Sequence, residues 1–205
     1  LIVGIEVVLA DGRIARAGGR VVKNVAGYDL SRLFCGSFGS LGVITSATFK
    51  LAPIAAASCT VVGRFNRIGD ALAAARSLAI APLTPSAFEL QVPGPALLVR
   101  FETTDNAARQ MSQAAAAHLT SAGAVTSLLT GDDEVRLWDA HDRLVWRLPA
   151  SVVKISVLPT DLPSICDLLA STGVEWTAVG RVALGVLLVR LQGEQEKIVA
   201  AITGL

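Results

Sequence analysis

Cysteine is scarce in this 205-residue chain: Cys35, Cys59 and Cys166 are odd in number and form no CxxC pair. That spacing points away from a zinc site or iron–sulfur cluster within the chain, and toward buried free thiols in a reducing compartment. Histidine is scarcer still, with only His118 and His141. His118 falls in an Ala-rich helix pattern and His141 beside Asp139 and Asp142, and both read as solvated or capping residues. No Lys/Arg block occurs, and 18 basic residues stand against 17 acidic ones for a net charge of +1. The charge balance leaves no nucleic-acid footprint and no polybasic membrane anchor. No apolar run reaches the roughly eighteen residues of a membrane span. The chain begins with Leu1 and opens directly in a strand pattern, so the expectation is an internal piece of a longer protein.

What is present is a large apolar fraction, 52% against 17% charged residues, enough for a substantial core. Ile2 to Ala10 alternates as a strand. Asp11-Gly12 predicts a two-residue hairpin turn, Arg13 to Ala17 the returning strand, and Arg20 to Val25 a further extended stretch. Asp29 reads as the N-cap of a short helix with Leu30, Leu33 and Phe34 on its apolar face, ended by Gly36. Val43 to Leu51 then alternates as a half-buried strand. Pro53, in APIAAAS, marks the expected boundary between domains 1–52 and 53–205.

Beyond the boundary the pattern runs strand (59–65), helix (68–79), strand (87–92), strand (96–101), helix (105–121) and strand (125–129). This is the split βαβ order of a ferredoxin-like sheet with helices on one face. A connecting helix over 132–144, with Val135, Leu137, Trp138 and Leu144 apolar, leads into a second round: strand (152–158), helix (161–171), strands (174–179 and 182–191), helix (194–202). The fold class expected is α+β, with a duplicated ferredoxin-like second domain. The acidic run Asp132-Asp133-Glu134 reads as a helix first turn facing the macrodipole and not as a metal site. Trp146 reads as core and Arg147 as surface.

The segment Gly18 to Leu51 carries the chain's only tyrosine, Tyr28, and the glycines Gly36, Gly39 and Gly42. They do not form a dinucleotide loop, because the helix precedes them and a strand follows, so no helix N-terminus faces a phosphate. No Lys-Ser/Thr follows for a Walker loop. Their plain reading is a turn entering a strand. The alternative is bare backbone that a flat ligand can approach.

The wording GGRVVKNVAGYDLSRLFCGSFGSLGVITSATFKLAP resembles the end of the FAD-binding domain in the vanillyl-alcohol-oxidase (PCMH-type) family of FAD-linked oxidases, whose members carry GYDL…LF-x-GS-x-G-[TS]-LGVIT. The resemblance implies an FAD cofactor lying along Ser37, Gly39, Ser40, Gly42, Val43 and Ile44, with Gly27 and Tyr28 nearby. Within the family, KNVAGYDL and the small second domain are most similar to FAD-binding subunits of bacterial glycolate-oxidase complexes. That implies partners in a catalytic flavin subunit and an iron–sulfur subunit, a small 2-hydroxy acid as substrate of the complex, and a cytoplasmic location, membrane-peripheral only through those partners.

Catalytic members of the family carry two metal-binding histidines in a hairpin that aligns with Ala178 to Val189. There Arg181 and Leu188 replace the histidines and Leu184 replaces an acidic residue, while Phe38 stands where a Glu is usual. Neither leucine nor arginine ligates a divalent ion. The resemblance thus implies an accessory flavin subunit with no metal site and no assignable catalytic residue. The alternatives are a self-sufficient FAD-dependent 2-hydroxy-acid dehydrogenase and a non-catalytic scaffold. Arg181 could also clamp a carboxylate, against the simpler reading of a strand-end arginine in solvent.

Overall fold

The computed structural model describes residues 2–19 and 29–203. They divide into two compact units, Leu1–Ile54 and Ala55–Leu205. The stretch 20–28, including Gly27 and Tyr28 and the whole extended run expected over 20–25, lies outside the described residues.

In the first unit β1 (Ile2–Val8) is the middle strand of an antiparallel sheet, between β2 (Ile14–Gly18) and β3 (Val43–Phe49). Ile5 and Val7 point to one face of β1 and pack under Phe34 of the short helix α1 (Leu30–Phe34). The Asp29 side chain caps α1 by accepting from the Arg32 N–H at 3.4 Å. The β1–β2 turn is longer than the Asp-Gly dipeptide suggested. Leu9 N–H donates to Arg13 C=O and Gly12 N–H to Leu9 C=O, and Gly12 alone is left-handed, at φ +82°. This is the three-residue hairpin loop that ends in a left-handed glycine. Leu33 is exposed rather than packed, and β3 is largely exposed, with Val43 at 64% and Phe49 at 59%. β3 is an edge strand whose faces are not covered by the rest of this unit. A bulge leaves Thr45 unpaired between the pairs Val7–Ile44 and Glu6–Ser46. Its hydroxyl donates to the Glu6 carbonyl at 3.2 Å.

The second unit is the expected duplicated α+β fold. Its first repeat comprises β4 (Ala57–Arg64), α2 (Ile68–Ala79), β5 (Ala87–Val92), β6 (Ala96–Thr103), α3 (Asp105–Ser121) and β7 (Val125–Leu129). After the connecting helix α4 (Gly131–Arg143) come β8 (Ser151–Ser156), α5 (Leu162–Ser171), β9 (Glu175–Arg181), β10 (Val186–Gln192) and α6 (Gln195–Thr203). The strands form one antiparallel sheet in the order β7-β4-β6-β5-β9-β10-β8. The first four follow ferredoxin-like order, the last three repeat it in mirror sequence, and β5 meets β9 at the seam.

Alternation sorts the strand residues between two faces. On one, Val61, Leu90, Leu97, Val99, Leu187 and Val189 bury against Leu72 and Leu78 of α2, Leu119 of α3, Leu169 of α5 and Ile198 of α6. Gly63 lets α3 come close, since a Cβ there would lie 2.9 Å from Leu119 Cδ1. Helices are not confined to that face. α4 packs on the other, where Leu137 and Trp138 cover Val62, Ala96 and Leu98.

Candidate functional site

The glycine run occupies the first unit between α1 and β3. Gly36 and Gly39 are left-handed, at φ +83° and +81°, and Phe38 between them holds φ +51°, a conformation uncommon for a non-glycine residue. Two reverse bonds fold the run: Ser37 N–H to Phe34 C=O at 3.2 Å, and Ser40 N–H to Ser37 C=O at 3.0 Å, the latter doubled by the Ser40 hydroxyl at 2.7 Å. The glycines differ in what they serve. A Cβ at Gly42 would lie 2.7 Å from the Val8 carbonyl oxygen and 3.4 Å from the Phe34 ring, so Gly42 is required by this unit's own packing. A Cβ at Gly36 or Gly39 meets nothing within 4 Å. Among the described residues the backbone N–H groups of Phe38, Gly39 and Leu41 take no backbone partner. Around them Phe38, Leu41, Val43 and Ile44 are exposed. Open donors beside bare backbone and exposed apolar side chains suit a flat, polar-edged ligand such as a flavin nucleotide.

A second site lies in the other unit, on the α4 face of the sheet at the seam between repeats. Register puts Glu89 of β5 opposite Arg181 of β9, Arg181 opposite Val186 of β10, and Leu188 of β10 opposite both Val179 and Lys154 of β8. These residues and His141, Asp142, Trp138 and Trp146 line a cavity of about 520 Å³. Arg181 and Leu188, which the family resemblance sets against the histidines of catalytic members, thus share one pocket. Arg181 is 71% exposed and lies 3.8 Å from the Glu89 carboxylate, whose side chain is only 16% exposed. Burial pushes the Glu89 carboxyl up to about 7; Arg181 opposes that and Asp142 reinforces it. Trp146 is 60% exposed in this wall, not a core residue.

The α4 helix presents Glu134, Trp138 and His141, at i, i+4 and i+7, to the sheet. Glu134 is 2% exposed and accepts from the hydroxyls of Ser58 (2.7 Å) and Thr60 (2.6 Å) and from Arg100 Nε (3.1 Å). Trp138 Nε1 donates to the Thr60 hydroxyl at 2.9 Å, and the Arg100 guanidinium lies 5.7 Å from the Trp138 ring centre. His141 is buried, not solvated, with Nδ1 3.4 Å from Gln91 Oε1 and its ring edge-on to Trp138. Burial lowers its pKa, against an opposing pull from Asp142. The helical spacing was readable, but the buried stripe is polar, so a search for apolar periodicity passes over it. Of the cysteines, Cys59 and Cys166 are buried as expected and Cys35 is exposed.

No family model matches the chain. It is 42% identical over 98 residues to the glycolate oxidase subunit GlcD of Bacillus subtilis, covering 48% of this chain and 21% of that protein. Over 60 residues it is 47% identical to the glycolate oxidase subunit GlcE of Escherichia coli, covering 29% and 17%. Over 88 residues it is 34% identical to an uncharacterized FAD-linked oxidoreductase of Mycobacterium tuberculosis, covering 43% and 19%. The chain therefore spans about a fifth of the length of each. Among solved structures, p-cresol methylhydroxylase superposes on the whole chain with a TM-score of 0.72 at 15% identity, over 54% of its own length. Alkyldihydroxyacetonephosphate synthase gives 0.74 at 15% identity, covering 99% of this chain and 46% of that one. The chain has the fold of the p-cresol-methylhydroxylase-type oxidases, and in sequence it is similar to glycolate oxidase subunits and an FAD-linked oxidoreductase.

Proposed function

We propose that this chain is the flavin-holding part of an FAD-dependent oxidoreductase of the glycolate-oxidase type, acting as an accessory subunit of the GlcE kind. The observation that carries the reading is the left-handed backbone at Gly36, Phe38 and Gly39, open at both glycines, in a chain similar to glycolate oxidase subunits. Ser37, Gly39, Ser40, Val43 and Ile44 would hold the FAD through main-chain groups, with Gly27 and Tyr28 contributing from the neighbouring stretch. Gly42 shapes the turn. Bound FAD would supply two-electron acceptor chemistry for oxidation of a 2-hydroxy acid, and the protein's part is to hold and tune it.

The accessory role rests on the seam pocket. A metal there would polarise the hydroxyl of the acid, yet Leu188 offers no ligand and Arg181 brings a positive charge. Electrons would reach this flavin from a catalytic flavin subunit and pass onward to an iron–sulfur subunit, in the cytoplasm and at the membrane only through those partners. The test is anaerobic mixing of the FAD-loaded full-length protein with glycolate. On its own its flavin stays oxidised, and it becomes reduced when the catalytic subunit is added. Rapid bleaching without that subunit would instead establish a self-sufficient dehydrogenase, and a protein that purifies without flavin would establish a scaffold.

A further inference from the structure

We propose that the seam pocket binds a small carboxylate together with one proton: the ligand draws the Arg181 guanidinium away from Glu89, and Glu89 takes up the proton. The pair is built for such an exchange. Glu89 and Arg181 stand on directly opposed residues of the two repeats, yet their closest atoms are 3.8 Å apart, too far for a hydrogen bond. Arg181 is mostly exposed and free to swing toward the cavity, whereas Glu89 is held low in the wall. A guanidinium prefers the two parallel bonds that a ligand carboxylate offers. Lys154 adds a second cation across the pocket, and Val179, Val186 and Leu188 give an apolar floor between them.

The groups facing Glu89 decide its response. From β9 comes Arg181, from α4 His141 and Asp142, and from β8 Lys154. The β6 residue opposite Glu89 is the uncharged Leu98, and the β6 arginine, Arg100, is engaged by Glu134 and Glu102. Burial lowers the His141 pKa, which works against its carrying a charge there. Arg181 is thus the cation registered against Glu89. When it turns to an incoming anion, loss of a positive partner and gain of a negative neighbour both favour the protonated carboxyl. The proton comes from solvent, and the neutral Glu89 can then donate a hydrogen bond to the ligand.

The choice of glycolate as probe rests on the function proposed above, while the exchange itself rests on the pocket. Calorimetric titration of the FAD-loaded full-length protein with glycolate, in phosphate and in Tris, counts the protons taken up. Close to one proton enters per glycolate at about pH 8 and almost none at about pH 5.5, with affinity falling up to about tenfold per pH unit above 7. In Glu89→Gln binding persists, with no uptake and a flat pH profile. In Arg181→Gln affinity falls about tenfold or more. Uptake retained in Glu89→Gln, binding at pH 8 without uptake, or no heat and no tryptophan-fluorescence change at any pH with glycolate or acetate each overturn the proposal. Flavin absorbance of the same sample separates the two ideas. Flavin retained without proton-coupled binding removes this inference alone, and proton-coupled binding by a flavin-free protein removes the proposed function alone.

Discussion

Replacing Glu89 by glutamine should make the second unit more stable in alkaline solution and leave it nearly unchanged in acid. The carboxyl is raised from 4.5 to about 7, chiefly by burial. Its folded state therefore binds the proton more tightly than the unfolded chain does. The favourable contribution is complete below the unfolded value and is lost as pH rises through about 7. A shift of that size corresponds to roughly 3 kcal/mol, and the remaining solvent contact of the side chain lowers the expectation to roughly 2 kcal/mol. Glutamine keeps the shape and carries no charge, so the penalty should vanish with it. All three tryptophans, Trp138, Trp146 and Trp176, belong to the second unit, and urea denaturation followed by their fluorescence reads that unit alone. Between pH 5 and pH 8.5 the wild type should lose roughly 2 kcal/mol relative to Glu89→Gln, a midpoint difference of about 1 M urea for a unit of this size. Other titrating groups are common to both proteins and cancel. A wild-type-to-variant difference that stays constant across that range would refute the reasoning.

Three further outcomes follow from the same geometry. Glu134→Ala should destabilise the second unit by roughly 2–3 kcal/mol, because it removes the buried acceptor of the Ser58 and Thr60 hydroxyls and leaves Arg100 with Glu102 alone; Glu134→Gln should cost less, and the same urea assay reads both. The lowered pKa of His141 gives stability that is present above about 6.5 and lost as pH falls through its folded value. His141→Gln should therefore flatten the acid side of the stability profile. In a thiol titration of the native chain one cysteine, Cys35, should react rapidly. Cys166, with its thiol pushed up to about 11 by burial and then by Asp167, should stay unreactive until unfolding, and Cys35→Ser should remove the fast phase.

The sequence carried the architecture well because the second unit is locally consistent. Strand alternation, helix periodicity and the Pro93-Gly94-Pro95 turn point the same way, and each repeat confirms the other. Where reading failed, a long-range partner overrode a local rule. Glu134 follows the pattern of a solvated helix first turn, yet Ser58, Thr60 and Arg100, brought by β4 and β6, bury it. His141 is buried because Trp138, one helical turn away, presses the same helix face to the sheet. Glu89 and Arg181 are ninety-two positions apart, and only the edge-to-edge joining of the repeats sets them opposite one another. In the first unit alternation over Val43–Phe49 signalled a strand but could not tell which face is covered.

The central claim is that the backbone between α1 and β3 is a flavin site, and Gly39 tests it most directly. Gly39 and Gly12 are both left-handed, at φ +81° and +82°, and a Cβ at either meets nothing within 4 Å. An alanine therefore introduces the same backbone strain of about 1 kcal/mol at each. Only Gly39 lies in the run assigned to FAD. The flavin-to-protein ratio of the purified full-length protein, measured by absorbance, should fall several-fold in Gly39→Ala and remain at the wild-type value in Gly12→Ala. Equal flavin content in the two variants would contradict the account.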